Sequence, residues 1–237
     1  MKAKWMKWGL LAVMSTTVLA ACQSQPKNEA DTVSGASIKT PREIIKSPVK
    51  KTDFLLGTAV ALSVYHPNTE EVITNALEMI KDLEKRITVN ASGSEVDEVN
   101  LAAGEKPVKV SADVYELIKL GLKYSEEFDG AFDVTVGPLT ALWHIGFDDA
   151  KKPTQEEIDA VLPLVNYKDV ELNDAEQTVF LKKKGMQLDL GGIAKGYIAD
   201  KVWEYFAKEG ITTAVIDLGG NIVVMGGSPA RDGVAWN

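Results

Sequence analysis

The chain has 237 residues, 45% of them hydrophobic, and a formal net charge of −8. That length buries a substantial core and allows one large domain or two small ones. The acidic balance argues against nucleic acid as a partner, and the single cysteine, Cys22, excludes an intrachain disulfide or a cysteine metal cluster.

Lys2, Lys4 and Lys7 precede an apolar run from Gly9 to Ala21. The run is too short to span a bilayer comfortably and has the charged front and small-residue end of a secretion signal, so residues 1–21 are expected to be a lipoprotein signal peptide. Leu19-Ala20-Ala21-Cys22 resembles a bacterial lipobox. The resemblance implies cleavage before Cys22, lipidation there, and a protein anchored to the cell membrane on its extracytoplasmic face. Loss of residues 1–21 removes three lysines and no acids, which takes the net charge from −8 to −11. Residues 22–51 are polar, with Pro26, Pro41 and Pro48, and read as a flexible tether. Residues 52–237 form the remaining, folded part.

Phe54 to Tyr65 is rich in β-formers and predicts the first strand. Thr69 and Glu70 open a helix with Val72, Ile73, Ala76, Leu77, Ile80 and Leu83 on one face, lasting to about Arg86. Ser94 to Asn100 reads as a short helix in a loop, and Ser111 as the cap of a helix through Val114, Leu117, Ile118 and Leu122. Thr154 and Glu157 make a capping box for a helix through Leu162, and Val170–Leu172, Val179–Leu181 and Met186–Leu188 read as short strands. These elements predict an α+β fold, a mixed sheet covered by helices.

Between those helices, Phe128 to Leu139 mixes aromatics, acids and glycines without a clean period. Phe132 suits stacking on a planar ring, with Asp133 and Thr135 at its polar edge; a local Asx or Thr turn beside a core phenylalanine explains the same residues.

Leu188-Asp189-Leu190-Gly191-Gly192-Ile193-Ala194-Lys195-Gly196-Tyr197 reads as a strand entering a glycine turn and then a helix. A helix start offers unpaired N–H groups and partial positive charge, glycines let an anion approach the backbone, and Lys195 adds a full charge one turn in. Ile193, Tyr197, Ile198, Val202, Tyr205 and Phe206 make the apolar stripe of that helix, and Gly210 its stop. Asp189 would repel a bare pyrophosphate, so it points to a divalent cation or to the non-phosphate part of a nucleotide; the alternative is that it caps the helix while the glycines serve close packing. Asp217-Leu218-Gly219-Gly220-Asn221 repeats the phrase after a strand Thr213–Ile216. Strand, helix, strand predicts two parallel neighbours with both glycine turns at one sheet edge, facing one crevice.

Together, Gly57-Thr58, Ser94-Glu95 through Asn100, Gly130 to Leu139 with Leu142-Trp143 and Gly146, Leu188 to Tyr197, and Asp217 to Asn221 resemble the ApbE family of lipoprotein-type FAD:protein FMN transferases. The resemblance covers the chain from about Phe54 to the end. It implies an enzyme that binds FAD and Mg2+ and transfers FMN to a threonine hydroxyl of a target protein, releasing AMP. The implied targets are flavoprotein subunits of membrane redox complexes or other exported flavoproteins. By position, Ala131, Phe132 and Asp133 match flavin-site residues, Asp189 and Lys195 FAD contacts, and a main-chain oxygen of Gly192 or Ala194 a metal ligand. Leu56, also a candidate cofactor contact, stands where many members have methionine. Members continue beyond the position of Asn237 through a tail with a His and Asp-Pro segment and a later metal-binding segment. Neither is in this sequence, whose only histidines are His66 and His144, so the chain as given is expected to bind magnesium weakly and to transfer little FMN. A flavin-binding lipoprotein and an FAD pyrophosphatase are the alternative readings.

Overall fold

The computed structural model describes residues 42–231 together with Val234 and Trp236. The expected signal peptide, Cys22 and most of the expected tether lie outside the described residues. The last residues of that tether do not behave as one: β1 (Val49–Leu55) starts inside it, and just before β1 the Ile45 N–H donates to the Tyr65 carbonyl at 2.9 Å.

The single long first strand resolves into a hairpin. β1 pairs antiparallel with β2 (Thr58–Val64), Leu55 opposite Thr58, around a two-residue turn at Leu56 and Gly57. Both turn residues have positive φ, 54° and 67°, the geometry whose twist matches that of the flanking strands. Leucine carries no turn signal, which is why alternation alone hides the break. The Leu56 N–H donates to Glu84 Oε1 at 2.8 Å, a tie to α1 (Glu70–Ile87) that helps hold the left-handed conformation.

α2 (Glu95–Leu101) is capped by Ser94, whose side chain accepts from Asp97 N–H. After the short β3 (Val108–Lys109) comes α3 (Ala112–Glu127), where Ser111 makes no side-chain cap; its hydroxyl instead accepts from Arg86 at 2.8 Å, tying α3 to α1. α4 (Gly137–Trp143) and α5 (Gln155–Val161) follow, the latter with the full capping box of Thr154 and Glu157. β4 (Val170–Asn173) and β5 (Thr178–Leu181) join β3 in a small antiparallel sheet ordered β3-β5-β4.

α6 (Gly191–Lys208) closes in a Schellman arrangement: the Ile211 N–H reaches the Phe206 carbonyl at 2.9 Å, the Gly210 N–H the Ala207 carbonyl at 3.1 Å, and Gly210 has φ 75°. β6 (Ala214–Leu218) and β7 (Asn221–Met225) then complete a four-stranded sheet ordered β1-β2-β6-β7. All its pairings are antiparallel, so the expected parallel crossover is not formed. The physical reason is that Met186–Leu188 never joins that sheet. It makes one parallel bridge, Gln187 to Val136, because the partner chain turns into α4 at Gly137 and offers no further extended residues.

Val60, Leu62 and Val64 of β2 and Ala214, Ile216 and Leu218 of β6 are fully buried on one face of the large sheet. Against them pack Ile73, Ala76 and Ile80 of α1 and Ile198, Ala199, Val202 and Phe206 of α6, with Val114, Leu117 and Ile118 of α3 behind. Each large aliphatic side chain buried this way contributes about 1.5–3 kcal/mol. His66, also fully buried, donates from Nδ1 to the Glu43 carbonyl at 2.7 Å and accepts at Nε2 from the N–H groups of Thr212 and Thr213. That pattern fixes a neutral ring and ties the segment before β1 to the entry of β6. α6 is therefore a rigid platform, held from the other side by Tyr197 and Lys201 on Glu116 of α3.

Candidate active site

The segment 187–190 leads into α6 and is fixed on three sides. The Gly137 N–H donates to the Gln187 carbonyl at 3.2 Å, and the Asp189 N–H to the Val134 carbonyl at 2.8 Å. Asn100 reaches over from α2, accepting from Leu188 N–H at 2.7 Å and donating to the Leu188 carbonyl at 3.1 Å, so one side chain imitates a neighbouring strand. Gly137 is needed for this approach: a Cβ there would lie 2.6 Å from the Gln187 carbonyl oxygen.

Asp189 does not cap α6. The N-cap is Leu190, without a side-chain bond, and Asp189 Oδ1 accepts from Gly191 N–H at 2.8 Å while Oδ2 accepts from the Thr140 hydroxyl at 2.8 Å. The carboxylate thus braces the glycine turn against α4. Gly191 and Gly192 are exposed, and the Phe132 ring packs so close to Gly192 that an added Cβ would lie 3.1 Å from its edge. Phe132 and Gly192, distant in sequence, therefore meet at the start of α6, where the helix presents its positive end. Lys195, one turn in, is half-buried and has no ion-pair partner among the described residues.

Beside this turn opens a cleft of about 760 Å3. Its walls are Asp97, Asn100 and Leu101 of α2, Leu139, Thr140 and Trp143 of α4, His144 and Phe147 beyond it, and Gln187 to Asp189. The size and the mixture of apolar walls with a few polar groups suit a small organic ligand.

Of the residues singled out from sequence, Asp189 lines the cleft, and Phe132, Gly192, Ala194 and Lys195 cluster at or just inside the α6 start. Asp133 turns elsewhere: Oδ1 accepts from Thr135 N–H and hydroxyl, and Oδ2 from Tyr167 N–H at 3.0 Å, so its carboxylate organises the loop toward Asn166 and Tyr167. Ala131 is exposed in the turn before it, and Leu56 sits in the β1–β2 turn, outside the cleft walls. The echo at Asp217–Asn221 is not a second wall of this cleft. It is the β6–β7 hairpin turn, with Gly219 and Gly220 at φ 67° and 91° and Asp217 Oδ1 accepting from Gly220 N–H, and it packs on Thr58 at the β1–β2 turn.

Sequence reasoning gave no role to Asn100, Thr140 or His144. For Asn100 a signal exists: it lies four residues after buried Val96, on the inward face of α2, where a polar side chain needs a partner.

For a metal, the described residues offer an incomplete set. No group of three or more His, Cys, Asp or Glu side chains gathers among them, and the carbonyls of Gly192 and Ala194 lie within α6, where they accept along the helix. Magnesium takes six hard oxygens, so substrate phosphates and water would have to supply most of its shell.

A sequence model of the ApbE family matches residues 56–237. The chain belongs to the ApbE family. An FAD:protein FMN transferase of Klebsiella pneumoniae (strain 342) is 40% identical over 172 residues, 73% of this chain and 54% of the relative. One of Treponema pallidum (strain Nichols) is 32% identical over 206 residues, 79% of this chain and 56% of the relative. Among solved structures, the ApbE protein of Thermotoga maritima superposes with a TM-score of 0.72 at 31% identity, over 78% of this chain and 60% of that one. The ApbE flavin transferase of Vibrio cholerae gives a TM-score of 0.72 at 26% identity. The chain thus has the α+β fold of these proteins and spans a little over half the length of the curated relatives it matches.

Proposed function

We propose that this ApbE-family protein is an FAD:protein FMN transferase: it binds FAD beside the α6 turn and passes the FMN half to a threonine hydroxyl of a target flavoprotein, with release of AMP. The observation that carries the reading is the 40% identity to a relative named for that activity, over 73% of this chain. The local chemistry supports it. The free N–H of Gly192, the helix dipole and unpaired Lys195 favour an anion at the turn, as a pyrophosphate requires. Asp189, braced by Thr140, keeps that turn in place, and the adjoining cleft with Trp143 and Leu139 is large enough for a planar ring and its sugar.

Magnesium belongs to the same proposal. When bound it would neutralise charge on the pyrophosphate, whose oxygens and water would supply most of its shell, while the carbonyl of Gly192 or Ala194 could join only by sharing its second lone pair beside the α6 hydrogen bond. We further propose that the mature protein is lipidated at Cys22 and anchored on the extracytoplasmic face of the cell membrane. The target would then be a flavin-carrying subunit of a membrane redox complex or another exported flavoprotein. No helix among the described residues is long and apolar enough to cross a membrane.

The test is to incubate the mature protein with FAD, magnesium chloride and a threonine-bearing domain of an exported flavoprotein. Covalent flavin fluorescence on the denatured acceptor, with AMP in equal amount, is the expected result. Free FMN and AMP without labelled acceptor would identify a pyrophosphatase, and intact bound FAD a flavin-binding lipoprotein; either outcome overturns the transferase reading.

A further inference from the structure

Exposure alternates along residues 186–190. Met186, Leu188 and Leu190 are buried in the core, which turns the side chains of Gln187 and Asp189 to the opposite side, where both line the cleft. On extended backbone their Cα atoms stand about 6.6 Å apart. The main chain at Gln187 is fixed: its carbonyl accepts from Gly137 N–H at 3.2 Å, the residue makes the parallel bridge to Val136, and Asn100 holds both the N–H and the carbonyl of Leu188. The side chain starts directly over Gly137, where an added Cβ would lie 2.6 Å from the Gln187 Cβ. Packing therefore aims the stem, while the terminal amide of this half-buried residue has no partner among the described residues. Asn90 is a second cleft-lining amide without a side-chain partner, but it is exposed on the loop between α1 and α2 and lacks this support. Rigidity, not vacancy, sets Gln187 apart.

We infer that Gln187 is a specificity-determining residue of the cleft, its amide both donating to and accepting from the polar edge of one of the two rings of FAD. The inference rests on the reading above that FAD binds beside the α6 turn. A primary amide offers a donor and an acceptor side by side and adds no charge next to Asp189, so it matches a heteroaromatic edge that sets an N–H beside a ring nitrogen or carbonyl. Adenine and the pyrimidine ring of isoalloxazine both present such an edge. Leu101, Leu139 and Trp143 supply apolar surface for either ring to lie on. Gln187 lies two residues upstream of Asp189, so a ring at its amide is set back from an anion at the α6 turn, as the sugar between ring and pyrophosphate requires. A ring with the wrong edge would leave the half-buried amide unpaired when the cleft is filled, and that unmade pair is the source of discrimination.

Gln187→Met keeps an unbranched stem packed on Gly137 and deletes both hydrogen-bonding groups. Binding is measured on the mature protein in magnesium chloride, with FAD and FMN followed by flavin fluorescence and ADP by displacement of FAD. Expected are a melting temperature within about 2 °C of wild type and an FAD affinity lower by about tenfold or more, the loss of two hydrogen bonds. The two halves of FAD then identify the ring. A matching loss for ADP with FMN unchanged assigns adenine, and a matching loss for FMN with ADP unchanged assigns the isoalloxazine. An FAD affinity within about twofold of wild type overturns the inference and leaves the transferase reading standing. An equal loss for ADP and FMN also overturns it, because a general disturbance of the cleft weakens both halves alike. Failure of the wild-type protein to bind FAD overturns the inference and the transferase reading together.

Discussion

Replacing Asn100 by alanine takes away both partners of the Leu188 peptide groups at once. Leu188 is fully buried, so neither its N–H nor its carbonyl finds water easily when the amide is gone. A buried backbone group left unpaired costs about 1–3 kcal/mol, and since Asn100 itself is half-buried and some water can enter, the lower part of that range applies to each, about 2–4 kcal/mol in all. With a urea slope of about 2 kcal/mol/M, the midpoint of unfolding should fall by about 1–2 M. Asn100→Asp keeps the acceptor but sets a carboxylate against the Leu188 carbonyl, so it should rescue little. Because Leu188 leads into Asp189 and the α6 turn, FAD affinity should fall together with stability. A midpoint shift under about 0.3 M, equivalent to about 0.6 kcal/mol, would refute the claim that Asn100 holds this segment.

Gly137→Ala should cost about 1–3 kcal/mol or more, because the new Cβ meets the Gln187 carbonyl at 2.6 Å and neither backbone can yield without breaking the bridge; thermal unfolding measures it. Lys195→Gln should leave stability within about 0.5 kcal/mol, as expected for a residue without an ion pair, while weakening FAD binding about tenfold, read by flavin fluorescence quenching. Glu116 is held below the ordinary carboxylate range by the hydrogen bond from Lys201 and then by that from Tyr197. Its depressed pKa means that the contribution to stability is full above pH 4.5, its unfolded value, and is lost as pH falls below it. The side chain is 60% exposed, so Glu116→Gln should lower stability by only about 0.3–1 kcal/mol at pH 7, and the gap should shrink as pH falls through the depressed pKa of Glu116; a gap that stays constant across the acid range would show that the α3–α6 tie is not ionic.

What could be read from the sequence alone was what neighbours within a few residues decide. The apolar stripes of α1, α3 and α6, the caps at Ser94 and Thr154, and the Gly210 stop follow from spacing of three or four residues and from side chains that bond their own turn. The start of α6 was visible for the same reason, as were the family motifs, which are strings of adjacent residues. Tertiary structure alone decided the pairings. Leu56 turns left-handed because Glu84 and the β1–β2 register hold it there, not because leucine favours it. Met186–Leu188 resembles a strand, yet its only neighbour bends away at Gly137. The glycine phrase at Gly191 starts a helix and the one at Gly219 turns a hairpin, since the first is followed by an apolar stripe that packs on the sheet and the second by an edge strand. Asn100, Thr140 and His144 became site residues only when the chain brought α2 and α4 to the α6 turn. Their partners, Leu188, Asp189 and the cleft itself, lie far along the chain or exist only in the folded molecule.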